Sequence, residues 1–308
     1  MIQAARQTDE QMKLSDAAKN FNDLMEKLSD IPGFLDGLWG HNFDERIRNI
    51  PTKLNEFGYD EFGFNPIWAR NVLYTAYVIY HYYFRTEAFG LENIPEGRCL
   101  LVANHSGQLP IDGAMIAGSL IIDGDPPRFV RSMIEKWVST LPWVSIFMQR
   151  VGQIVGTPQN CRRLLENEEM ILVFPEGVRG VNKLFHERYQ LQEFGNGFMR
   201  LALESDAPVV PVAVIGGEEQ APSFLDFKPM AKLLGFPAFP ITPTWPLLGP
   251  LGLLPYPVKY RLHFGEPMYF KGSPHEETEE LARKVKTVKH TLQQLIRKGL
   301  EQRKHVFW

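Results

Sequence analysis

Two short stretches of this 308-residue sequence carry side chains that could do chemistry. In the first, an apolar run ends at Asn104 and His105, and Asp112 follows where a helix is predicted to begin. Histidine is the side chain best tuned to take up a proton near neutral pH. A carboxylate against its far ring nitrogen fixes the tautomer and stabilises the imidazolium. A helix-start aspartate can also serve only to complement the helix dipole, so this pair alone is a weak signal.

The second stretch, Phe174 to Gly180, is a glycine-containing turn that follows the strand-like run Met170 to Phe174. Glycine lets the backbone approach a ligand closely, and the planar guanidinium of Arg179 suits a phosphate. Glu176 could accept from a hydroxyl or hold Arg179 in place. Taken alone, this stretch is better interpreted as a structural turn with a surface ion pair.

The order of these two blocks and the run Pro208 to Val212 resembles the PlsC-type glycerolipid acyltransferases, the lysophospholipid acyltransferase family. The resemblance covers roughly residues 89–270, and the phrase Phe89 to Pro95 belongs to it. It implies that His105 is the general base and that Asp112 orients it. It also implies an acceptor-binding block made of Phe174, Pro175, Glu176, Gly177 and Arg179.

The resemblance further implies the reaction and its partners. A fatty acyl group would pass from acyl-CoA or acyl-ACP to a glycerolipid hydroxyl, as in lysophosphatidate, without a covalent intermediate. No cofactor or metal is expected beyond this thioester co-substrate. The expected partners are a membrane lipid acceptor, the acyl donor and the membrane surface.

Two departures from the family pattern keep other acceptors open. Six residues separate His105 from Asp112, where the family usually has four, and the turn ends in Leu-Pro-Ile-Asp. This longer turn looks like that of the subgroup related to transmembrane protein 68, which implies a mono- or diacylglycerol acceptor. The stretch Gly152 to Pro158, where the family has a phosphate-holding arginine, has none, although Arg150 lies just upstream.

Several other function classes are disfavoured, while two rivals stay open. The net charge of −3 gives no basic field for nucleic acid. The sequence shows no metal-ligand spacing, nucleophile elbow, Walker loop or dinucleotide fingerprint. A lipid or thioester hydrolase and a non-catalytic lipid-binding protein remain possible. Lys183, Arg188 and Tyr189 could face a phosphate or the nucleotide of the donor, but solvated loop positions are the preferred interpretation. Glu218 and Glu219 could close the site, but a purely structural role is preferred.

Alternating strand-like and helix-like pieces predict an α/β domain, a mixed, mostly parallel sheet flanked by helices with an N-terminal helical extension. Strands are predicted at Leu100–Ala103, Arg128–Arg131, Gln153–Val155, Met170–Phe174, Pro208–Ile215 and Tyr260–Phe264. Thr157 and Pro158 predict a helix start. Ser273, Pro274 and Glu276 predict a capping box that opens the long C-terminal helix.

The chain is predicted to have three parts. Residues 1–65 form a helical extension with an amphipathic helix at Met12–Leu28. Residues 66–88 form an aromatic helix, and residues 89–308 form the acyltransferase domain. The aromatic run 66–88 is predicted to lie in a membrane interface, or else to be a buried amphipathic helix. The uncharged, proline-rich segment 233–258 either covers the domain or contacts lipid. With no secretory signal or spanning run, the expected location is the cytoplasmic face of a membrane, peripheral or monotopic. Cys99 and Cys161 are expected to be reduced and structural.

Overall fold

A seven-stranded mixed sheet forms the centre of the molecule in the computed structural model, which describes residues 43–48, 50, 52–106, 108–235 and 238–308. The strand order is β1-β9-β6-β2-β5-β3-β4. All neighbouring strands are parallel except β6 and β9, which are antiparallel. The predicted mixed, mostly parallel sheet is therefore confirmed. The predicted helix Met12–Leu28 lies outside the described residues.

The strands of this sheet are β1 Glu87–Phe89, β2 Cys99–Ala103, β3 Val130–Ile134, β4 Ile154–Val155, β5 Met170–Val173, β6 Val209–Ile215 and β9 Arg261–Phe264. Each predicted strand is present within a few residues. The largest difference is β3, which begins two residues later than predicted. The guanidinium of Arg128 donates to the carbonyls of Pro95 and Gly97, and pairing with β5 starts only at Val130.

Ten α-helices surround the sheet within the described residues: α1 Phe43–Arg48, α2 Pro66–Val78, α3 Ile111–Ile122, α4 Val144–Arg150, α5 Pro158–Glu166, α6 Val178–Val181, α7 Gly197–Ser205, α8 Gly217–Gln220, α9 Lys228–Leu234 and α10 Thr278–Gln302. Helices α2 and α3 contribute to the core on one face of the sheet. Helices α5, α7 and α10 contribute to the core on the other face. Both cysteines are free and buried, and burial raises the pKa of each thiol to about 11.

The two helix starts predicted from sequence have different outcomes. Helix α5 begins as predicted, with the Thr157 side chain accepting from the Asn160 amide. The predicted start of the C-terminal helix is wrong, because α10 begins at Thr278. The Glu276 carboxylate does accept from the Ser273 amide at 3.1 Å, but this bond closes a separate turn. Lys284 of α10 holds the same carboxylate and stabilises that turn ahead of the helix.

The aromatic run after Asn65 forms α2 and continues as a π-helical segment, Ile79–Tyr83. One side packs into the core through Tyr74, Tyr77 and Tyr80, while Tyr82 is 62 % exposed. The helix is thus partly buried and partly open to its surroundings. Within the residues described, no helix combines the length and apolar character needed to cross a bilayer.

Residues 221–258, called the apolar arm below, leave the sheet after α8 and return before β9. The arm contains α9, a two-stranded ribbon of β7 Leu225–Asp226 with β8 Pro240–Ile241, and a 3₁₀ turn at Gly249–Leu253. Regular structure is confined to such short pieces because proline lacks the amide donor that longer elements need. The proline-rich segment 233–258, predicted from sequence, makes up the later part of this arm.

Candidate active site

The site lies where the parallel strands β2, β5 and β6 end side by side. The residue after β2, Asn104, is fully buried and bridges two strands. Its side-chain amide donates to the Val214 carbonyl at 3.0 Å, and its oxygen accepts from the Val214 amide at 2.8 Å. This two-bond bridge extends the β2–β6 ladder beyond the last strand residue. The backbone is therefore held firmly just before His105.

His105 and Asp112 form a close pair, as predicted. The His105 Nδ1 atom lies 2.6 Å from Asp112 Oδ2, and the Asp112 side chain has no exposed surface. Asp112 Oδ2 also accepts from the Ser106 amide at 3.0 Å, and Oδ1 accepts from the Gly113 amide at 2.8 Å. Three bonds fix this carboxylate, so it can orient the ring and support a positive charge on it.

The longer spacing between His105 and Asp112 still brings the pair together. Gln108 adopts a left-handed conformation with a φ of 62°, and α3 begins at Ile111. The Gln108 side chain donates to the Lys183 carbonyl at 3.2 Å, which ties the loop to the second block. The longer spacing is accommodated by this turn and does not separate the two side chains.

The His105 ring is stacked on the ring of Phe174, with 4.1 Å between centroids and 22° between planes. The His105 side chain retains 13 % exposure. No hydrogen bond joins its Nε2 atom to another residue in the described part of the chain. The imidazole is thus oriented at Nδ1 and presents Nε2 for a proton transfer.

Glu176 is buried beneath the histidine and does not pair with Arg179. Its Oε1 atom accepts from the His105 amide at 3.1 Å, and Oε2 accepts from the Gln192 amide at 2.7 Å. The alternative that it holds Arg179 is wrong. The Glu176 side chain has no exposed surface, and both of its carboxylate oxygens accept from backbone amides. Its observed contacts are those of a residue that positions His105.

The remaining residues of the predicted acceptor block lie around the same turn. Gly177 precedes α6 with a φ of 56°, a conformation that glycine adopts without strain. The Pro175 carbonyl accepts from the Gly195 amide at 2.9 Å. Arg179 is 59 % exposed and pairs with Glu193 at 3.2 Å. The structure therefore brings Phe174 and Glu176 onto His105 and leaves Arg179 on the surface.

The buried side chain of Lys183 links Glu176 to Glu218. Lys183 Nζ lies 2.9 Å from Glu218 Oε1 and 3.5 Å from Glu176 Oε2, and the three side chains are almost completely buried. Burial alone would lower the pKa of Lys183, but the two carboxylates outweigh it and raise the pKa. The interpretation of Lys183 as a solvated loop charge is wrong. It joins the end of β5 to the end of β6.

A second buried network continues behind the first. The Tyr189 hydroxyl donates to Glu219 at 2.5 Å and accepts from the Gly216 amide at 2.9 Å. Arg303, at the end of α10, donates to Glu219 at 2.7 Å and to the Tyr189 hydroxyl at 3.1 Å. Burial and the Glu219 charge raise the pKa of Tyr189 well above its ordinary value. The hydroxyl therefore stays neutral and can donate this bond.

Sequence reasoning did not assign Asn104, Lys183, Gln220 or Tyr260 to the site. Gln220 donates to the Leu109 carbonyl at 3.1 Å and accepts from the Tyr260 hydroxyl at 2.6 Å, which braces the loop between His105 and Asp112. The sequence analysis named Asn104 beside His105 but gave it no role. The signal that could have found it is its place directly after a buried strand. Lys183 and Gln220 act through partners distant in sequence, and local patterning carries no such signal.

An oriented, partly exposed imidazole at the carboxyl ends of parallel strands is suited to general acid–base chemistry. The family model described as Acyltransferase matches residues 85–215, which contain both site blocks. An uncharacterized protein of Mycobacterium tuberculosis is 35 % identical over 293 residues, spanning 93 % of this chain and 78 % of that protein. The chain belongs to the PlsC-type acyltransferase family, the glycerolipid acyltransferases, and is an acyltransferase enzyme.

Two further similarities extend the comparison. A Gallus gallus protein named "DGAT1/2-independent enzyme synthesizing storage lipids" is 28 % identical over 254 residues, covering 80 % of this chain and 70 % of that protein. The crystal structure of the 1-acyl-sn-glycerophosphate acyltransferase PlsC from Thermotoga maritima superimposes with a TM-score of 0.45 at 18 % identity. That match covers 91 % of this chain and 97 % of the other.

Proposed function

We propose that this enzyme transfers a fatty acyl group from the thioester of acyl-CoA or acyl-ACP to a glycerolipid hydroxyl, with His105 as the general base. The observation that carries this proposal is the 2.6 Å contact between His105 Nδ1 and the buried Asp112 carboxylate. It leaves Nε2 as the ring atom free to meet a substrate hydroxyl. Membership of the acyltransferase family supports the reaction class.

The proposed step is a direct transfer. His105 Nε2 takes the proton of the acceptor hydroxyl while the hydroxyl oxygen attacks the thioester carbonyl. The tetrahedral intermediate collapses, the carbon–sulfur bond breaks, and the imidazolium returns the proton to the departing sulfur. Asp112 stabilises the imidazolium until the proton is returned to the sulfur. General-base catalysis of this kind contributes roughly 10² to 10⁴ in rate.

The backbone amides near His105 divide into those already bonded and those that could stabilise the oxyanion. The Ser106 amide donates to Asp112 and is therefore not an oxyanion donor in this arrangement. The His105 amide is also bonded, to Glu176. We assign oxyanion stabilisation to the remaining amides of the loop that ends at Pro110, where α3 presents its N-terminus.

For the acceptor, the proposal of a lysophosphatidate-like lipid competes with that of a neutral mono- or diacylglycerol. The arginines considered for a phosphate are engaged elsewhere. Arg179 pairs with Glu193, and Arg150 lies over the Tyr59 ring with 4.0 Å to its centroid. The name of the Gallus gallus relative, which refers to storage lipids, also supports a neutral acceptor. We therefore keep the neutral glycerolipid as a second candidate.

A labelled acyl-CoA offered with a panel of acceptors tests the proposal. The panel contains lysophosphatidate, other lysophospholipids, monoacylglycerol and diacylglycerol, each with wild-type protein and His105→Ala. We expect labelled ester product from wild type and a turnover at least 10²-fold lower from His105→Ala. Ester formation only with lysophosphatidate would eliminate the neutral acceptor.

Two rival activities give different products in the same experiment. A hydrolase would release labelled free fatty acid at the same rate with or without acceptor. A non-catalytic lipid-binding protein would form no product on any acceptor and would bind lipid equally well as His105→Ala. Either result would contradict acyl transfer by this site.

A further inference from the structure

The apolar arm exposes large apolar side chains to an unusual degree. Leu247 is 83 % exposed and Leu251 is 69 % exposed. The exposed large apolar residues of the arm in the described part of the chain are Phe224, Leu225, Phe227, Leu233, Leu247, Leu248, Leu251, Leu253 and Leu254. Soluble monomers rarely leave so many together, and such patches mark interaction sites. The arm therefore presents a surface that water does not favour.

The backbone of the arm is braced internally while its leucines point outward. The Leu248 amide donates to the Thr244 carbonyl at 2.8 Å, and the Thr244 hydroxyl donates to the Gly252 carbonyl at 3.0 Å. The Thr242 amide donates to the Trp245 carbonyl at 3.0 Å. Polar backbone groups can enter an apolar medium only when they are bonded in this way.

The charges of the arm indicate which apolar medium it meets. Lys228 and Lys232 are exposed on α9, beside Phe227 and Leu233. The arm has one carboxylate, Asp226, and this side chain accepts from the Phe239 amide at 3.0 Å. Exposed lysines around leucines match the headgroup layer of a membrane that contains anionic lipid.

Both ends of the arm are anchored at residues close to the loop between His105 and Asp112. Gln220, just before the arm, donates to the Leu109 carbonyl, and the Tyr256 amide donates back to the Gln220 carbonyl at 2.7 Å. The Phe185 amide donates to the Ser223 carbonyl at 2.7 Å. A lipid surface held by the arm therefore lies next to the loop that carries His105 and Asp112.

The aromatic π-helical segment adjoins the same surface. The hydroxyl of Tyr83 donates to the Pro255 carbonyl, so the exposed face of Tyr82 and Tyr83 stands beside the end of the arm. Tyrosines favour the wet edge of a bilayer because one end of the side chain is apolar and the other polar.

We propose that the apolar arm inserts its leucines into the surface of a phospholipid bilayer and so places the lipid acceptor at His105. This inference deepens the proposed acyl transfer by naming the surface from which the acceptor enters. Insertion by leucines of a short braced arm requires no spanning helix. The lysines of α9 add affinity for anionic lipid.

Vesicle co-sedimentation of the full chain tests the arm. The variant Leu247→Gln/Leu251→Gln should bind phosphatidylcholine–phosphatidylglycerol vesicles more weakly than wild type, by roughly tenfold or more for each leucine. Tyr269→Gln is the matched control, because Tyr269 is 70 % exposed but follows the Met268 bridge to Val209, at the opposite end of β6. It should bind like wild type. Lys228→Gln/Lys232→Gln should lose the preference for phosphatidylglycerol.

The activity measurements separate this inference from the proposed reaction. The leucine variant should lose transfer to acceptor in vesicles and keep transfer to acceptor dissolved in detergent micelles. His105→Ala should bind vesicles like wild type and lose transfer in both. Wild-type vesicle binding by the leucine variant would overturn the docking role. A wild-type dimer that becomes monomeric in this variant, without vesicle binding by either, would assign the surface to a second copy of the chain and also overturn it.

Discussion

The carboxylate of Glu176 accepts a hydrogen bond from the backbone amide of His105 at 3.1 Å, from a turn 71 residues further along the chain. This contact joins the two sequence blocks. The family resemblance gave their order along the chain but not the contact between them. The contact places Glu176 as a support of the His105 backbone, whereas the resemblance implied that Glu176 binds the acceptor.

Replacing Glu176 by Gln tests that support. The amide would turn a donor toward the backbone amide of His105 or of Gln192 and would leave Lys183 with one carboxylate fewer. We expect a loss of unfolding free energy of about 1–3 kcal/mol and a fall in kcat with little change in KM. Thermal unfolding and steady-state kinetics measure both.

Glu193→Gln is the control for this variant, because Glu193 is exposed and pairs with the surface residue Arg179. It should leave stability and kcat near wild type. Equal kcat values for Glu176→Gln and wild type would contradict the positioning role.

Packing at Gly180 gives a second prediction. A β-carbon at this position would lie 2.8 Å from the Glu176 β-carbon and 3.1 Å from the His105 β-carbon. Gly180→Ala should therefore displace the base, lower kcat and cost about 1–3 kcal/mol of stability through overpacking. Gly197→Ala is the matched control, since no described residue that is not a chain neighbour has an atom within 4 Å of its β-carbon position. If both variants had wild-type kcat, His105 would not depend on this packing.

Much of the sheet could be predicted from sequence because its central strands are buried on both faces. Every residue of β2 and β6 is buried, and such strands appear as continuous apolar runs. The buried strands are local features, and the sequence displays them directly. The His105–Asp112 pair lies in one short stretch but is a weak signal alone, so its prediction depended on the family resemblance.

The remaining features depend on contacts between distant segments. Lys183 stands in a polar stretch that looks exposed, yet two carboxylates, one of them in α8, stabilise its burial. Arg131 is buried in β3 because Asp60, 71 residues earlier, pairs with it at 2.5 Å. Helix α10 begins later than predicted, and Lys284 binds Glu276 in the turn ahead of it. Hydrophobic periodicity reports burial and local geometry and carries no information on such partners.

A pH-dependent stability is predicted from the buried residue His263 in β9. Burial, together with Lys298 and Arg261, lowers the pKa of His263, and its ring is stacked on Phe89 at 4.9 Å. Below about pH 6.5 the unfolded chain takes up a proton at this residue that the folded chain does not. Stability should therefore be lost as the pH falls below that value, at up to about 1.4 kcal/mol per pH unit.

His263→Phe should remove this contribution, because phenylalanine keeps the stacked ring and does not titrate. Urea unfolding of wild type and variant between pH 7.5 and 5.5 measures the difference. His275→Gln, at an exposed position, should keep the wild-type dependence. A variant His263→Phe with an unchanged pH dependence would contradict the assignment.

The most direct test of the central claim is a double-mutant cycle on the kcat of acyl transfer with His105→Ala, Asp112→Ala and the double variant. Residues that act as one catalytic unit have strongly non-additive effects. We predict that the double variant is no slower than His105→Ala, with all three proteins folded as judged by circular dichroism. Losses that multiply in the double variant, or a His105→Ala enzyme with wild-type kcat, would contradict a general base oriented by Asp112.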